Sequence, residues 1–152
     1  MKLFLGVILL ISCPCFSMYL SQKYKKRKVF FSDFNNFNDK LKNEVNFSNN
    51  TIKRLIKNLN NSEFNNCLYN KIYDKDIDIN IAFLTIDEQK YVTQYFNNVG
   101  TSDKLGQISM LESVSEYLKK KTIETQDEEK KYKTLYLKLG IMIGLLFFIL
   151  LL

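Results

Sequence analysis

Two uncharged, strongly apolar stretches bracket a polar middle, and this limits what the chain can fold into more than any other feature. Residues 3–20 (LFLGVILLISCPCFSMYL) carry no charge over eighteen positions, and residues 139–152 (LGIMIGLLFFILLL) are apolar throughout. Eighteen helical residues rise about 27 Å, close to the ~30 Å hydrocarbon core of a bilayer. Extending the second stretch back to residue 135 admits only Tyr136, suited to the interface, and Lys138, which can snorkel towards it. A chain of 152 residues has too little remaining mass to enclose two helices that are apolar on every side. The sequence therefore predicts a transmembrane helix over 1–20, a second over 135–152, and a working segment, 21–134, between them.

Charge then sets the topology. Lys23, Lys25, Lys26, Arg27 and Lys28 follow the first apolar stretch, and Lys130, Lys131, Lys133 and Lys138 precede or enter the second. By the positive-inside rule both flanks of the middle segment are cytoplasmic, and both termini face the other side. A cleaved lipoprotein signal is the rival at the N-terminus, since Leu10-Ile11-Ser12-Cys13 resembles a lipidation box. Against it, Pro14 follows the cysteine, apolar residues continue to Leu20, and the basic cluster then resists translocation. Whether the N-terminal span is retained stays open at this point. Cys13, Cys15 and Cys67 give no disulfide framework in a reducing compartment, and the Cys-Pro-Cys run lacks the spacing and company of a zinc site.

The middle reads as all-α: an antiparallel bundle of about five helices. A single Pro and five Gly leave little material for a many-stranded sheet. Phe30, Phe34, Phe37, Leu41 and Val45 recur at steps of three and four, the stripe of one amphipathic helix. No Gly or Pro separates this stripe from the first apolar stretch, so it can run on from the membrane as a stalk. Ile52, Leu55, Ile56 and Leu59 suggest a short second helix, and Phe64, Leu68 and Ile72 a third. The run DKDIDIN (74–80) reads as a loop. Thr85-Ile86-Asp87-Glu88 has the spacing of a capping box, and Phe83, Leu84, Val92, Phe96 and Val99 give a fourth helix its apolar side, ended by Gly100. Leu105, Ile108, Leu111, Val114 and Leu118 mark a fifth, continuing through a polar stalk (119–134) into the second apolar stretch.

Chemistry is scarce. There is no His, hence neither the commonest metal ligand nor the commonest acid/base at neutral pH. No phosphate-binding glycine loop, metalloprotease motif or nucleophile elbow occurs. Asp74, Asp76 and Asp78 lack the turn glycine and terminal glutamate of a calcium loop. The stalk's lysines are interleaved with acids, which a phosphate-tracking surface would avoid, so no nucleic-acid partner is expected. The reading is a non-enzyme with no cofactor and no metal.

Two local features remain. Gly140 and Gly144 form a small-xxx-small face on which another membrane helix, such as the first span, can pack closely. The corner Val99-Gly100-Thr101-Ser102-Asp103, followed by Gly106-Gln107, reads as a helix cap, a turn and a second cap, or as a partner-docking corner carried by Ser102, Asp103 and Gln107.

Several of these features together resemble the stage III sporulation protein AB family of spore-forming bacteria. They are the opening MKLFLGVILLIS, the basic run, the corner VGTSDKLGQ, the long charged helix and the closing LKLGIMIGLLFFILLL; Gly100, Ser102, Asp103, Gln107, Leu139 and Gly140 are the most specific. The resemblance implies a component of the sporulation channel assembly in the mother-cell membrane around the forespore. It further implies a cytoplasmic domain similar to type II secretion F platform proteins. Its partners would be the family's secretion-type ATPase, stage III sporulation protein AA, and other channel subunits, with homo-oligomerisation open. A membrane-tethered module regulating a soluble partner, and an exported lipoprotein, are the alternatives.

Overall fold

A computed structural model describes residues 2–47, 63–73 and 81–151. They form four helices: α1 (Lys2–Phe47), α2 (Glu63–Tyr73), α3 (Ile86–Asn98) and α4 (Lys104–Leu151). No strand occurs among the described residues, which are all-α as expected. The expected count, about five bundle helices plus two spans, needs correcting to four described helices, whereas the continuity expected at both ends holds. The first bundle helix and the N-terminal apolar stretch are one 46-residue helix, and the last bundle helix and the C-terminal apolar stretch are one 48-residue helix. Sequence explains the merger, because no Pro or Gly falls between residues 15 and 47 or between 107 and 139. The short helix expected over 52–59 and the loop over 74–80 lie outside the described residues. Among the described residues one helix, α4, is long and apolar enough to cross a membrane, against the two expected. Most side chains in the first eleven residues of α1 lie outside the description.

The chain divides into two compact units, Met1–Lys26 with Thr125–Leu152, and Arg27–Glu124. In the first, the beginning of α1 meets the end of α4. Tyr24 stacks on Tyr132 with ring centroids 4.1 Å apart, while Gly140 lies against Ser17 and Cys13. Position numbers rise on one helix as they fall on the other, so the pair is antiparallel. Pro14 sits inside α1, and three residues on the Ser17 hydroxyl donates to the Cys13 carbonyl at 3.0 Å, a local partner of the kind that accompanies prolines in apolar helices.

The second unit is built around phenylalanine. Phe30, Phe31, Phe34 and Phe37 of α1 are all at most 1 % exposed, and so is Phe64 of α2. Phe64 is the hub: its ring stacks on Phe34 at 4.9 Å and on Phe96 at 5.7 Å, and meets Phe30 edge-on at 5.5 Å. Burying each such ring contributes about 1.5–3 kcal/mol, and the edge-on and offset geometries are those the ring quadrupole favours. Leu41, Leu68, Val92, Leu111, Val114 and Leu118 complete the core. Leu105, expected on the inner stripe, is instead 77 % exposed. The inward seat one turn before Leu111 belongs to Gln107, 7 % exposed, so the inner face of α4 runs through Gln107, Leu111, Val114 and Leu118.

A polar link crosses this core. Asn38, fully buried, donates through Nδ2 to the Leu111 carbonyl at 3.0 Å and to the Ser115 hydroxyl at 2.9 Å. The Ser115 hydroxyl in turn lies 3.4 Å from Asp39 Oδ1 and donates to it. Phenylalanines tolerate sliding, whereas hydrogen bonds to one carbonyl and one hydroxyl do not, so Asn38 fixes the register of α1 on α4.

Candidate functional site

The α3–α4 corner is the first of three arrangements that bear on function. Helix α3 ends with Val99, whose N–H donates to the Tyr95 carbonyl at 3.0 Å, and Gly100 then turns the chain with φ of 82°. An L side chain is strained in that conformation, which is why glycine stands there. Two backbone N–H groups face the Gln107 amide. Its oxygen therefore sits on their side, accepting from Gly100 N at 2.8 Å and Thr101 N at 3.2 Å, with the Ser102 hydroxyl also donating at 3.2 Å. Asp103 caps α4: its carboxylate accepts from the Gly106 N–H at 3.1 Å, and its carbonyl accepts the first helical bond, from Gln107 N, at 2.9 Å. Ser102 and Asp103 are exposed and Gln107 is buried. The three predicted residues are thus gathered at one corner, but with different aspects: Gln107 braces the turn from inside, and Ser102 and Asp103 present its surface.

The second arrangement was not read from the sequence as a unit. Glu88, 3 % exposed, receives a two-pronged contact from Arg27, Nη2 to Oε1 at 2.6 Å and Nε to Oε2 at 3.3 Å. Lys121 Nζ lies 3.2 Å from the same Oε1, and 2.9 Å from Glu124 Oε1. Arg27 Nη2 also reaches Glu124 at 3.4 Å. Two cations and two carboxylates so join α1, α3 and α4. Glu88 serves twice, because it is also the acidic member of the capping box expected at Thr85: Thr85 N donates to Glu88 Oε2 at 3.1 Å, and Glu88 N to Thr85 Oγ1 at 3.3 Å. Burial alone would raise the Glu88 carboxyl, but the Arg27 and Thr85 hydrogen bonds outweigh it and hold the group below its ordinary value. Lys121 is disfavoured by burial too, yet its carboxylate partners push it up. Every charge is matched, which is the signature of a brace. A catalytic pair would hold one group poised to exchange a proton near neutrality.

The partly buried Cys67 does not offset that. Burial pushes the Cys67 thiol up, with Glu63 adding to the shift, so the thiolate is suppressed. Among the described residues no group of three or more His, Cys, Asp or Glu is placed to hold a metal ion. Asp74, Asp76 and Asp78 lie outside the described residues.

The third arrangement is the close approach of α4 to α1 at Gly140. A Cβ added there would collide with the Ser17 hydroxyl and would stand 3.1 Å from the Cys13 carbonyl oxygen. Gly144, one turn on, is also buried.

A family model for stage III sporulation protein AB matches residues 71–152, more than half of the chain. The chain belongs to that family. No curated protein and no solved structure matches it. The matched segment contains the whole of α3 and α4, and with them the corner residues Ser102, Asp103 and Gln107, the brace residues Glu88, Lys121 and Glu124, and the glycines Gly140 and Gly144. Arg27 and Ser17, the α1 partners of Glu88 and Gly140, lie outside it. Membership ties the chain to sporulation.

Proposed function

We propose that this chain is a non-catalytic membrane platform of the sporulation channel assembly. Both apolar stretches cross the mother-cell membrane around the forespore. The segment between them lies in the cytoplasm, and both termini lie on the opposite side. The helical unit docks the cytoplasmic ATPase, stage III sporulation protein AA, and neighbouring channel subunits, while Gly140 and Gly144 pack the second span against the first.

The observation that carries this reading is the continuity of α4. One helix begins at the exposed Asp103 cap, supplies core residues Leu111, Val114 and Leu118, and ends in an apolar segment of membrane-spanning length. A helix of this kind anchors a cytoplasmic surface and adds no chemistry of its own. Within that surface the corner is the proposed contact, with Ser102 and Asp103 facing the partner and Gln107 holding the turn in shape.

The test is affinity capture of the detergent-solubilised full chain from sporulating cells. The ATPase should co-purify with the wild type and be lost with Ser102→Lys, a change at an exposed hydroxyl that leaves the Asp103 cap intact. Capture that brings down no ATPase refutes the platform role. Capture and sporulation that survive Ser102→Lys and Asp103→Asn refute the docking corner. Reporter fusions that place either terminus in the cytoplasm, or residues 21–134 outside it, refute the topology.

A further inference from the structure

Seven residues of α1 (20–26) and seven of α4 (130–136), all in the first unit, contain six lysines, three tyrosines and no carboxylate. Tyr24 and Tyr132 stack nearly parallel, at 11°, and Tyr136 stands 6.3 Å from one and 6.4 Å from the other. The tyrosines hold charge in place. Lys23 Nζ lies 4.9 Å from the Tyr24 ring centre and Lys131 Nζ 5.9 Å from that of Tyr132, both within cation–π reach. Lys23, Lys25 and Lys26 on α1, and Lys130, Lys131 and Lys133 on α4, are all exposed. The acids of α4 nearest to this band, Asp127, Glu128 and Glu129, precede it, on the side away from the apolar end. Beyond Leu137 and Lys138, residues 139–151 are wholly apolar.

We propose that this band is a binding surface for anionic phospholipid headgroups. The inference rests on the membrane reading of α4, which places the band at headgroup depth, where amphipathic tyrosine rings are most stable. There the only abundant anions are lipid phosphates, and clustered lysines beside a membrane segment draw them electrostatically. Lysine suits this partner better than arginine's rigid planar fork, because its ammonium is a compact, mobile point charge that meets a headgroup in many orientations. The Tyr24–Tyr132 stack supplies the fixed part of the site. It sets two rings, each with an ammonium group held beside it, together from two helices.

The test exposes the full chain, in nonionic detergent, to equal amounts of phosphatidylglycerol and phosphatidylcholine and measures the ratio of the two lipids that co-purify. The wild type should retain the anionic lipid preferentially. Lys131→Gln should lower that preference about fivefold at low salt, the equivalent of about 1 kcal/mol for one lysine near a charged surface. The triple change Lys130→Gln, Lys131→Gln, Lys133→Gln should bring it close to unity, and raising the salt towards 0.5 M should do the same to the wild type. Helicity by circular dichroism should be unchanged in both variants. Equal retention of the two lipids by the wild type overturns the proposal. So does a ratio that the triple change leaves intact, and if that change also abolishes capture of a protein partner, the band belongs to a protein surface instead. Extraction of the wild type from vesicles by alkaline carbonate refutes the membrane reading itself. A chain that resists carbonate but shows no lipid preference refutes the headgroup surface alone.

Discussion

Replacing Glu88 by Gln should destabilise the fold by about 2–4 kcal/mol, and the loss should depend on pH in a direction the geometry dictates. Glu88 is 3 % exposed, and its cationic partners Arg27 and Lys121 are themselves only 12 % and 21 % exposed. The amide keeps size and shape and can still accept from Thr85 N, so the capping box survives in part. What disappears is the negative charge between two cations, and removing one member of a buried pair typically costs about 3–5 kcal/mol. Glu124 moderates this, since it contacts both Arg27 and Lys121, but at 39 % exposure it is too well solvated to replace Glu88. In a chain of this length a loss near 3 kcal/mol lowers the melting temperature by roughly 6–12 °C, readable by circular dichroism of the full chain in detergent. The sign with pH follows from the lowered Glu88 carboxyl. Its ionised form is favoured in the folded state, so its contribution is complete above the unfolded value of about 4.3 and lost as pH falls through the lower folded value. The wild type should therefore exceed Glu88→Gln by the full gap at pH 7, and the two should converge at the acid end. A gap under about 1 kcal/mol at pH 7, or one of equal size at pH 7 and in strong acid, refutes the brace.

Gly140→Ala should destabilise the full chain in detergent by about 1–3 kcal/mol through overpacking, and adding Ser17→Gly should restore part of the loss, because the Ser17 side chain is what the new Cβ meets. Gly100→Ala should cost roughly 1–2 kcal/mol by thermal melting, since φ is 82° there. Gln107→Ala should lose about 1–3 kcal/mol by the same measurement, leaving the Gly100 N–H without its acceptor and the Thr101 N–H with only the Asn98 carbonyl at 3.3 Å, whereas Leu105→Gln, at an exposed position, should fall within about 0.5 kcal/mol of wild type. Phe64→Ala should be the most damaging core change, at about 3–5 kcal/mol, because Phe64 meets Phe30, Phe34, Phe37 and Phe96.

How far the sequence carries depends on whether a feature is local to one helix. Phe30, Phe34, Phe37 and Leu41 are all buried, and their three-and-four spacing announced it, because a regular helix turns residues at those intervals to one side. The capping box at Thr85 and the glycine turn at Gly100 were legible for the same reason: each closes within four residues. The uninterrupted run of α1 and α4 could be read from the lack of Gly and Pro. Leu105 failed because periodicity cannot say where a helix first meets its neighbour; the polar Gln107 takes the inner seat to satisfy the turn before it. Phe31 and Tyr95 are buried off the single stripe that periodicity marks, because α1 and α3 each touch more than one partner. The brace was invisible in principle. Arg27 and Glu88 are 61 positions apart, and no pattern confined to one helix joins them. Of the proposed docking residues, sequence located the corner but could not separate the inward Gln107 from the outward Ser102 and Asp103.

The basic run at residues 23–28 shows why residue type matters within a charge cluster. Counted for topology, its lysines and Arg27 are equivalent cations. Structurally they are not. Arg27 is the run's one arginine, and it is turned into the helical unit, its fork set across both oxygens of Glu88. Lys23 and Lys25 stay exposed. A guanidinium is planar, weakly hydrated and matched to a carboxylate edge, whereas an ammonium is strongly hydrated and costs more to bury. The cluster therefore divides its labour, with Arg27 holding the bundle together and Lys23 and Lys25 facing the solvent or the membrane surface. Arg27→Lys preserves every charge that the topology rule counts, so orientation reporters should not move. Yet it gives up the two-pronged contact, and the melting temperature should fall. Lys23→Gln with Lys25→Gln should do the reverse, leaving the melt intact while weakening the orientation signal. If Arg27→Lys melts like wild type, or the lysine pair proves as destabilising as the arginine change, the division is wrong.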